Sequence, residues 1–176
     1  MTPSQARELL QTLPADEEST RRRLQRHGEL VLEAGEQLLR ALHAWGGVIV
    51  DDDRVRCGCL LHDSGKLLHP EELDGPGRRH EEAGRVMLLD HGVADDVAVF
   101  CATHGDVALA TMLEEVLVTT ADKLWKGKRV DVVEHALVAM IVDVTGKEQW
   151  AAFAWFDEVA ASIAAGGDER LARSRG

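Results

Sequence analysis

The chain has 176 residues, 45% of them hydrophobic, which suits one domain with a core of its own. Aromatic residues make up only 4% and tyrosine is absent, so the core must consist mostly of Leu, Val and Ala, a composition that favours packed helices. A net charge of −11 argues against polymeric nucleic acid and anionic membranes as partners, and no apolar run approaches the ~20 residues that span a bilayer.

Helical periodicity dominates the sequence and predicts an all-α, single-domain helical bundle over residues 1–176. The first predicted helix runs from about Glu17 to Leu42 and ends at Gly46-Gly47. A second helix is predicted to begin after an N-cap in Asp51–Asp53 and to lead to His62. Gly65 then fits a helix stop.

The second half continues the same pattern after a loop that is rich in Pro and Gly, from His69 to Gly77. Near the C-terminus, four aromatic residues cluster on one predicted helix, either as core packing or as a homodimer interface: Trp150, Phe153, Trp155 and Phe156. The polar tail beyond this helix is predicted to fray. The further helices are predicted at about Arg78–Asp90, Ala94–Thr103, Thr111–Trp125, Val130–Val144 and Lys147–Ala165.

The cysteines bear on the cellular compartment. They are Cys57, Cys59 and Cys101, an odd number in a sequence with no recognisable signal peptide. This pattern predicts reduced thiols in a cytoplasmic protein.

The most informative feature is the adjacent pair His62-Asp63 at the end of an apolar helical segment. An imidazole and a carboxylate can bind one divalent ion together, and the carboxylate can bridge to a second. Taken singly, each candidate ligand is better explained as a hydrogen-bonded core histidine or a capping aspartate than as a metal ligand. Taken together they predict a shared metal centre, because several buried ionisable groups without an ion would each carry a desolvation penalty. The other candidates lie in separate predicted helices: His27, His80, His104 and Asp122.

A family resemblance rests on these residues and their neighbours. The motifs are Arg26-His27, His62-Asp63-Ser64-Gly65-Lys66, His80-Glu81-Glu82-Ala83-Gly84, Ala102-Thr103-His104 and Thr120-Ala121-Asp122-Lys123-Leu124. They resemble the HD superfamily of metal-dependent phosphohydrolases over an HD core of about residues 20–145, followed by the aromatic helix at about 147–165. Ser64 stands where an aliphatic residue is usual. The resemblance implies that one metal ion is held by His27, His62, Asp63 and Asp122. It also implies that Asp63 bridges to a second ion held by His80 and His104.

The resemblance also indicates a reaction. Imidazole-rich ligands suit two divalent ions of Fe, Mn, Co, Ni or Zn better than Mg or Ca. Such a pair would activate a hydroxide for attack on a phosphoester or phosphoanhydride of a small phosphorylated substrate. Asp63 and Lys66 are the predicted catalytic residues, and Lys66, His69 and Arg26 are the predicted substrate contacts. Glu81, Glu82 or Asp106 could accept a hydrogen bond from a ligand imidazole, although each of them taken singly is better explained as solvated helix surface.

The expected substrate class rests on which sequence signatures of other HD subfamilies are missing from this chain. Those of cyclic dinucleotide phosphodiesterases, alarmone hydrolases and deoxynucleotide triphosphohydrolases are absent, so the chain looks most like the small bacterial HD hydrolases that cut diadenosine tetraphosphate and simple nucleotides. A nucleotide-like substrate is therefore expected. Two alternatives stay open: an HD-type di-iron oxygenase acting on an organophosphonate or polyol, and a non-catalytic ligand sensor on the same fold.

Overall fold

Helices account for all the regular secondary structure of the computed structural model, which describes residues 1–175, and no strand occurs among those residues. The all-α prediction is therefore confirmed. Three short 3₁₀ helices, Ser64–Leu67, Pro70–Leu73 and Val107–Leu109, lie between the longer elements. The α-helices are α1 (Pro3–Thr12), α2 (Glu18–Trp45), α3 (Asp52–Leu61), α4 (Arg79–Asp90), α5 (Asp95–Ala98), α6 (Phe100–Thr103), α7 (Leu113–Leu124), α8 (Asp131–Thr145), α9 (Gln149–Ala165) and α10 (Gly167–Ser174).

Helix α2 is the central element of the bundle. It packs on both α3 and α7, which also pack on each other, while α4 packs on α6 and on the Ser64–Leu67 turn. The interior is filled mainly by aliphatic side chains, as the composition predicts. Each fully buried Leu contributes about 1.5–3 kcal/mol relative to an exposed one. The largest completely buried side chains include Leu38, Leu61, Leu88, Leu117 and Leu137.

Local sequence explains how the elements that lead to the site begin and end. The Asp51 carboxylate accepts a hydrogen bond from the Arg54 amide at 3.0 Å and so caps α3, as predicted. The predicted helix stop at Gly65 is wrong by several residues. Helix α3 already ends at Leu61, and the chain passes through His62 and Asp63 into a 3₁₀ turn that contains Gly65. Gly65 instead allows the 3₁₀ turn to pack directly on the backbone of α4. A Cβ there would overlap the His80 carbonyl oxygen and lie 2.6 Å from the Gly84 amide nitrogen.

The helix predicted over Ala94–Thr103 is divided at Val99 into α5 and α6. Three other segments differ from the sequence prediction or were not covered by it. The N-terminal residues form α1, whose first turn is closed by a capping box between Thr2 and Gln5. The loop from His69 to Gly77 contains the Pro70–Leu73 turn. The polar tail is not frayed: it forms α10, in which Arg170 is only 3% exposed. Each difference arises where tertiary contacts stabilise a segment whose own pattern is short or polar.

The C-terminal aromatic residues divide between the interior and the surface. Phe156 is buried, and the Trp155 ring stacks on Trp45 with centroids 5.1 Å apart. Trp150 is 73% exposed, so a homodimer interface on this helix would have to use it, and that interface stays a prediction. The three cysteines are buried with free thiols. None of the helices within residues 1–175 has the length and apolar character needed to cross a bilayer.

Candidate metal centre

The six predicted ligands come from five parts of the fold and meet at one point. His27 lies in α2, His62 and Asp63 follow α3, His80 is in the first turn of α4, His104 follows α6, and Asp122 is in α7. All are buried except His27, whose side chain is 19% exposed.

The first group of ligand atoms surrounds one oxygen of Asp63. The Nε2 atoms of His27 and His62 are 3.2 Å apart, and His27 Nε2 is 3.2 Å from Asp63 Oδ2. Asp122 Oδ1 lies 3.6 Å from His27 Nε2 and 3.7 Å from His62 Nε2. The ligand atoms of His27, His62 and Asp122 therefore lie close enough together to hold one metal ion. Two neutral imidazoles and two carboxylates form a donor set that suits Fe, Mn, Co, Ni or Zn.

The second group surrounds the other oxygen of the same carboxylate. Asp63 Oδ1 is 3.4 Å from His80 Nε2 and 3.2 Å from His104 Nε2, and these two nitrogens are 3.4 Å apart. His62, Asp63 and His104 also offer ligand atoms that lie within 4.8 Å of one another. Asp63 Oδ1 is buried, and no group within residues 1–175 donates a hydrogen bond to it. A buried carboxylate oxygen without a donor is unfavourable, so this oxygen fits a cation that bridges it to the imidazoles.

Hydrogen bonds at the outer ring nitrogens indicate the tautomers of three histidines. His62 Nδ1 lies 3.1 Å from the Cys59 carbonyl oxygen, and His104 Nδ1 lies 2.9 Å from the Cys101 carbonyl oxygen. His80 Nδ1 is 2.6 Å from Glu72 Oε2. Because carbonyl and carboxylate oxygens only accept, each Nδ1 must carry the proton and donate it. In the neutral ring, the Nε2 atom that faces Asp63 then keeps its lone pair, and this is the form that binds metals.

Glu72 is the site residue that the sequence did not reveal. Its buried carboxylate accepts from His80 Nδ1 and from the backbone amides of Arg79 at 3.2 Å and His80 at 3.1 Å. The predicted partners of a ligand imidazole, Glu81, Glu82 and Asp106, are not used in this way. Glu81 pairs with Arg78, and the Asp106 side chain accepts from the Ala108 amide. The acidic run after Pro70 was the only available signal, because no helical spacing connects it to His80.

Electrostatics keep the carboxylates of the site charged. Burial raises the pKa of Asp63, but the imidazoles of His62 and His104 outweigh it, so the pKa stays well below its usual value. Burial also raises the pKa of Asp122, and its contacts with His62 and Lys123 lower it by more. In His80, burial lowers the pKa and Asp63 and Glu72 raise it, with a net increase. A proton and a metal ion therefore compete for His80 Nε2, and metal binding releases that proton.

A cavity of about 540 Å³ opens onto the ligand groups. Its lining includes the ligands His27, Asp63, His80, His104 and Asp122 and a small apolar part formed by Leu24, Leu73 and Trp125. Five cationic side chains also line it, and such a lining suits an anionic ligand in a protein that is acidic overall. They are Arg23, Lys66, Arg78, Lys123 and Lys126.

The predicted substrate contacts are placed differently from one another. Lys66 lines the cavity, and its Nζ donates to Asp63 Oδ2 at 2.7 Å. Arg26 is exposed and His69 lies 3.4 Å from Glu71, and neither residue lines the cavity. Arg23, which was not among the predicted contacts, lines it instead. The reason is helical geometry: Arg23 is one turn before His27 and shares its face, whereas Arg26 points about 100° away.

Comparison with known proteins gives one family match. The family model described as HD domain matches residues 24–126, which is more than half of the 176-residue chain. The matched range contains all six candidate ligands and Glu72. No curated protein and no solved structure matches the chain.

Proposed function

The chain belongs to the HD domain family, and from that premise we propose that it is a metal-dependent phosphohydrolase acting on a small, nucleotide-like phosphorylated substrate. The proposed ligands of the first ion are His27, His62, Asp63 and Asp122. The proposed ligands of the second are Asp63, His80 and His104. Lys66 is the proposed phosphate contact.

The observation that carries this proposal is the placement of Asp63 between two groups of imidazoles. Oδ2 lies against His27, and Oδ1 lies between His80 and His104. Two divalent ions held in this way would lower the pKa of a water molecule towards ~7 and would polarise a phosphoryl oxygen. Neutral imidazoles leave the charge of such ions largely uncompensated, since only Asp63 and Asp122 are anionic ligands. An anionic substrate is therefore favoured there.

The surrounding residues account for substrate binding in this proposal. Lys66 and Lys123 line the cavity, and each contacts a ligand carboxylate at 2.7 Å, so either ammonium group can donate a hydrogen bond to a phosphoryl oxygen that binds beside these carboxylates. The volume of about 540 Å³ lies in the usual range for small-molecule sites. A polymer is disfavoured because a net charge of −11 repels a nucleic acid backbone outside the cavity.

The test combines metal analysis with a screen for phosphate release. Protein purified without added metal should contain Fe, Mn, Co, Ni or Zn and should release phosphate from at least one nucleotide or dinucleoside polyphosphate. Asp63→Asn should lose bound metal and turnover, because the amide cannot replace a bridging carboxylate. Asp90→Asn, an exposed aspartate at the end of α4, is the matched control and should keep both.

The alternatives give different results in the same experiments. Oxygen consumption by the ferrous protein with an organophosphonate or a polyol, without phosphate release from nucleotides, would replace this proposal with an oxygenase. Tight nucleotide binding without turnover by the metal-loaded protein would replace it with a ligand sensor. Full activity of Asp63→Asn would reject the metal assignment itself.

A further inference from the structure

Helix α10 lies outside the part of the chain that matches the HD domain, but it reaches the cavity. Ser174, near its end, lines the cavity together with Trp125 and Lys126, which follow the last turn of α7. The two segments meet through their backbones. Gly127 has a φ of +75°, and a Cβ on Gly167 would lie 2.5 Å from the Gly127 amide nitrogen. The backbones of Gly127 and Gly167 are so close that neither position has room for a side chain. This contact sets the distance between α10 and the end of α7.

A buried arginine joins α10 to the end of α7. Arg170 Nε donates to the Trp125 carbonyl oxygen at 2.6 Å, and Nη2 donates to the Leu124 carbonyl oxygen at 3.2 Å. Nη2 also donates to the Ile163 carbonyl oxygen at the end of α9. The last carbonyls of a helix lack partners within the helix, and a cation there also interacts favourably with the helix dipole. Arg170 therefore fixes the orientation of the peptide units from Leu124 to Trp125.

The residue that follows these peptide units is Lys126, the cation of the cavity lining that is best placed to contact a second anionic group of a ligand. The other four cations of the lining are paired with carboxylates: Lys66 with Asp63, Lys123 with Asp122, Arg23 with Asp74, and Arg78 with Glu81. Among residues 1–175, no carboxylate or carbonyl accepts a hydrogen bond from Lys126, whose Nζ lies 5.7 Å from the centroid of the Trp125 ring. Lys126 can thus bind an anionic group of a ligand without first breaking an ion pair.

We propose that Arg170 is a positioning residue of the substrate site, which makes α10 a structural part of that site. It touches neither the ligand groups nor the cavity, and it acts by holding the Leu124–Lys126 turn so that Trp125 and Lys126 face the cavity. The proposal rests on the proposed function, because it assigns Lys126 to a phosphorylated ligand. The affinity for that ligand should therefore depend on Arg170, while the metal content should not.

The experiment uses the full-length, metal-loaded protein and inorganic phosphate as the probe. Arg170→Met should weaken phosphate binding, measured by calorimetry, about tenfold, which is the usual effect of losing one charge-assisted contact. With any substrate found in the phosphate-release screen, KM should rise and kcat should change little. Amide hydrogen exchange in residues 122–130 should become faster. Bound metal should stay at the wild-type level, and Arg170→Lys should restore part of the affinity.

Matched controls separate positioning from general stability. Arg173→Met removes a neighbouring arginine of α10 that pairs with Glu33 at 2.6 Å and does not line the cavity, and it should leave phosphate binding unchanged. If Arg170→Met does not fold, Lys126→Gln should reproduce the loss of affinity. Lys128→Gln, an exposed lysine outside the cavity lining, should not.

The outcomes distinguish this inference from the proposed function. Wild-type phosphate affinity in folded Arg170→Met, or in Lys126→Gln, would overturn the positioning role and leave the hydrolase proposal intact. Phosphate binding by a wild-type protein that releases no phosphate from any substrate would overturn the hydrolase proposal. In that case the comparison of the phosphate affinities still decides the role of Arg170.

Discussion

Glu72 accepts three hydrogen bonds, two from backbone amides at the start of α4 and one from His80 Nδ1 at 2.6 Å. Among residues 1–175, Glu72 is the acceptor at His80 Nδ1, and it therefore orients this imidazole from the ring nitrogen that points away from Asp63. Acceptors of this kind fix the ring and increase the basicity of the nitrogen that binds the metal. In this structure the acceptor comes from a turn, whereas the acceptors for His62 and His104 are carbonyls of their own preceding helices.

We expect Glu72→Gln to weaken the second metal site selectively. The amide cannot accept as strongly from His80 Nδ1, so the affinity for the second ion should fall about 10–100-fold while the first ion stays bound. Metal titration with elemental analysis measures this. Glu71→Gln is the control: this exposed side chain, one residue earlier, pairs with His69 and Arg79 and with none of the proposed ligands, so the variant should bind two ions normally. Equal affinities in the two variants would contradict the assigned role.

Glu72 should also contribute to the acid sensitivity of the metal-free protein. Burial raises its pKa, but the hydrogen bonds from His80 and the amides lower the pKa to about 2, from an ordinary 4.5. A carboxyl whose folded pKa is depressed stabilises the fold fully above its unfolded pKa and loses that effect as the pH falls towards the folded pKa. Urea unfolding at pH 6 and pH 3 should therefore show a larger loss for the wild type than for Glu72→Gln. Parallel losses in both proteins would show that Glu72 is not the titrating group.

Single residues also show how far the sequence could predict this site. Six polar residues beside apolar helical positions were sufficient to predict a common centre, because helix periodicity fixes which side chains point inward. Glu72 could not be predicted, since its contact spans eight residues across a turn whose path depends on tertiary packing. The sequence could have shown that Arg23, and not Arg26, lies on the same helix face as His27, because this follows from the rotation of about 100° per residue alone.

At the scale of the elements, the contact between the Ser64–Leu67 turn and α4 sets the position of the residues proposed to hold the second ion. Gly65 packs directly on the backbone of His80 and Gly84. The same contact places His80 beside Asp63, which immediately precedes the turn. The distance between these two elements therefore fixes the distance between two proposed ligands of one ion.

We expect Gly65→Ala to separate these elements. A methyl group would overlap the His80 carbonyl oxygen, and overpacking of this kind destabilises a core by about 1–3 kcal/mol. The second metal site should be lost before the first, which thermal denaturation and metal analysis would show together. Gly92→Ala is a useful control, because no atom lies within 4 Å of the added carbon and only backbone strain is introduced. Two tightly bound ions in Gly65→Ala would contradict this view of the contact.

The long helices followed from the sequence, whereas the terminal ones did not. Helices α2, α7, α8 and α9 have enough periodic residues to be predicted within a few positions. Helix α10 has eight residues and a polar composition, and its stability comes from Arg170 and the Gly127–Gly167 contact. Helix α1 depends similarly on burying Ala6, Leu10 and Leu13. Contacts of this kind are formed between distant parts of the chain and leave no periodic pattern in a short segment.

At the scale of the whole molecule, the proposed metal centre joins parts of the chain from His27 to Asp122. An ion that binds only the folded state stabilises it by about 2.7 kcal/mol at 100 times its Kd. For a protein of this size each kcal/mol raises Tm by about 2–4 °C. We therefore expect metal loading to raise Tm by roughly 5–10 °C per occupied site.

Thermal denaturation of chelated and metal-loaded protein measures this effect, with Asp63→Asn as the control that should show no dependence on metal. An identical Tm for the chelated and loaded wild type would mean that the ions bind equally well to the unfolded chain or do not bind at all. Either result would remove the proposed link between the centre and the stability of the bundle.

The shared carboxylate of Asp63 has a consequence for the order in which ions enter. The group around His27 and His62 has a second carboxylate in Asp122, while the group around His80 and His104 relies on Asp63 alone. The first group should therefore bind a cation more tightly. An ion bound there would withdraw electron density from the Asp63 carboxylate, which would weaken the binding of a second ion to the other oxygen. If two ions bind as proposed, filling would be sequential and anticooperative, and under metal scarcity the protein would accumulate in a half-loaded form.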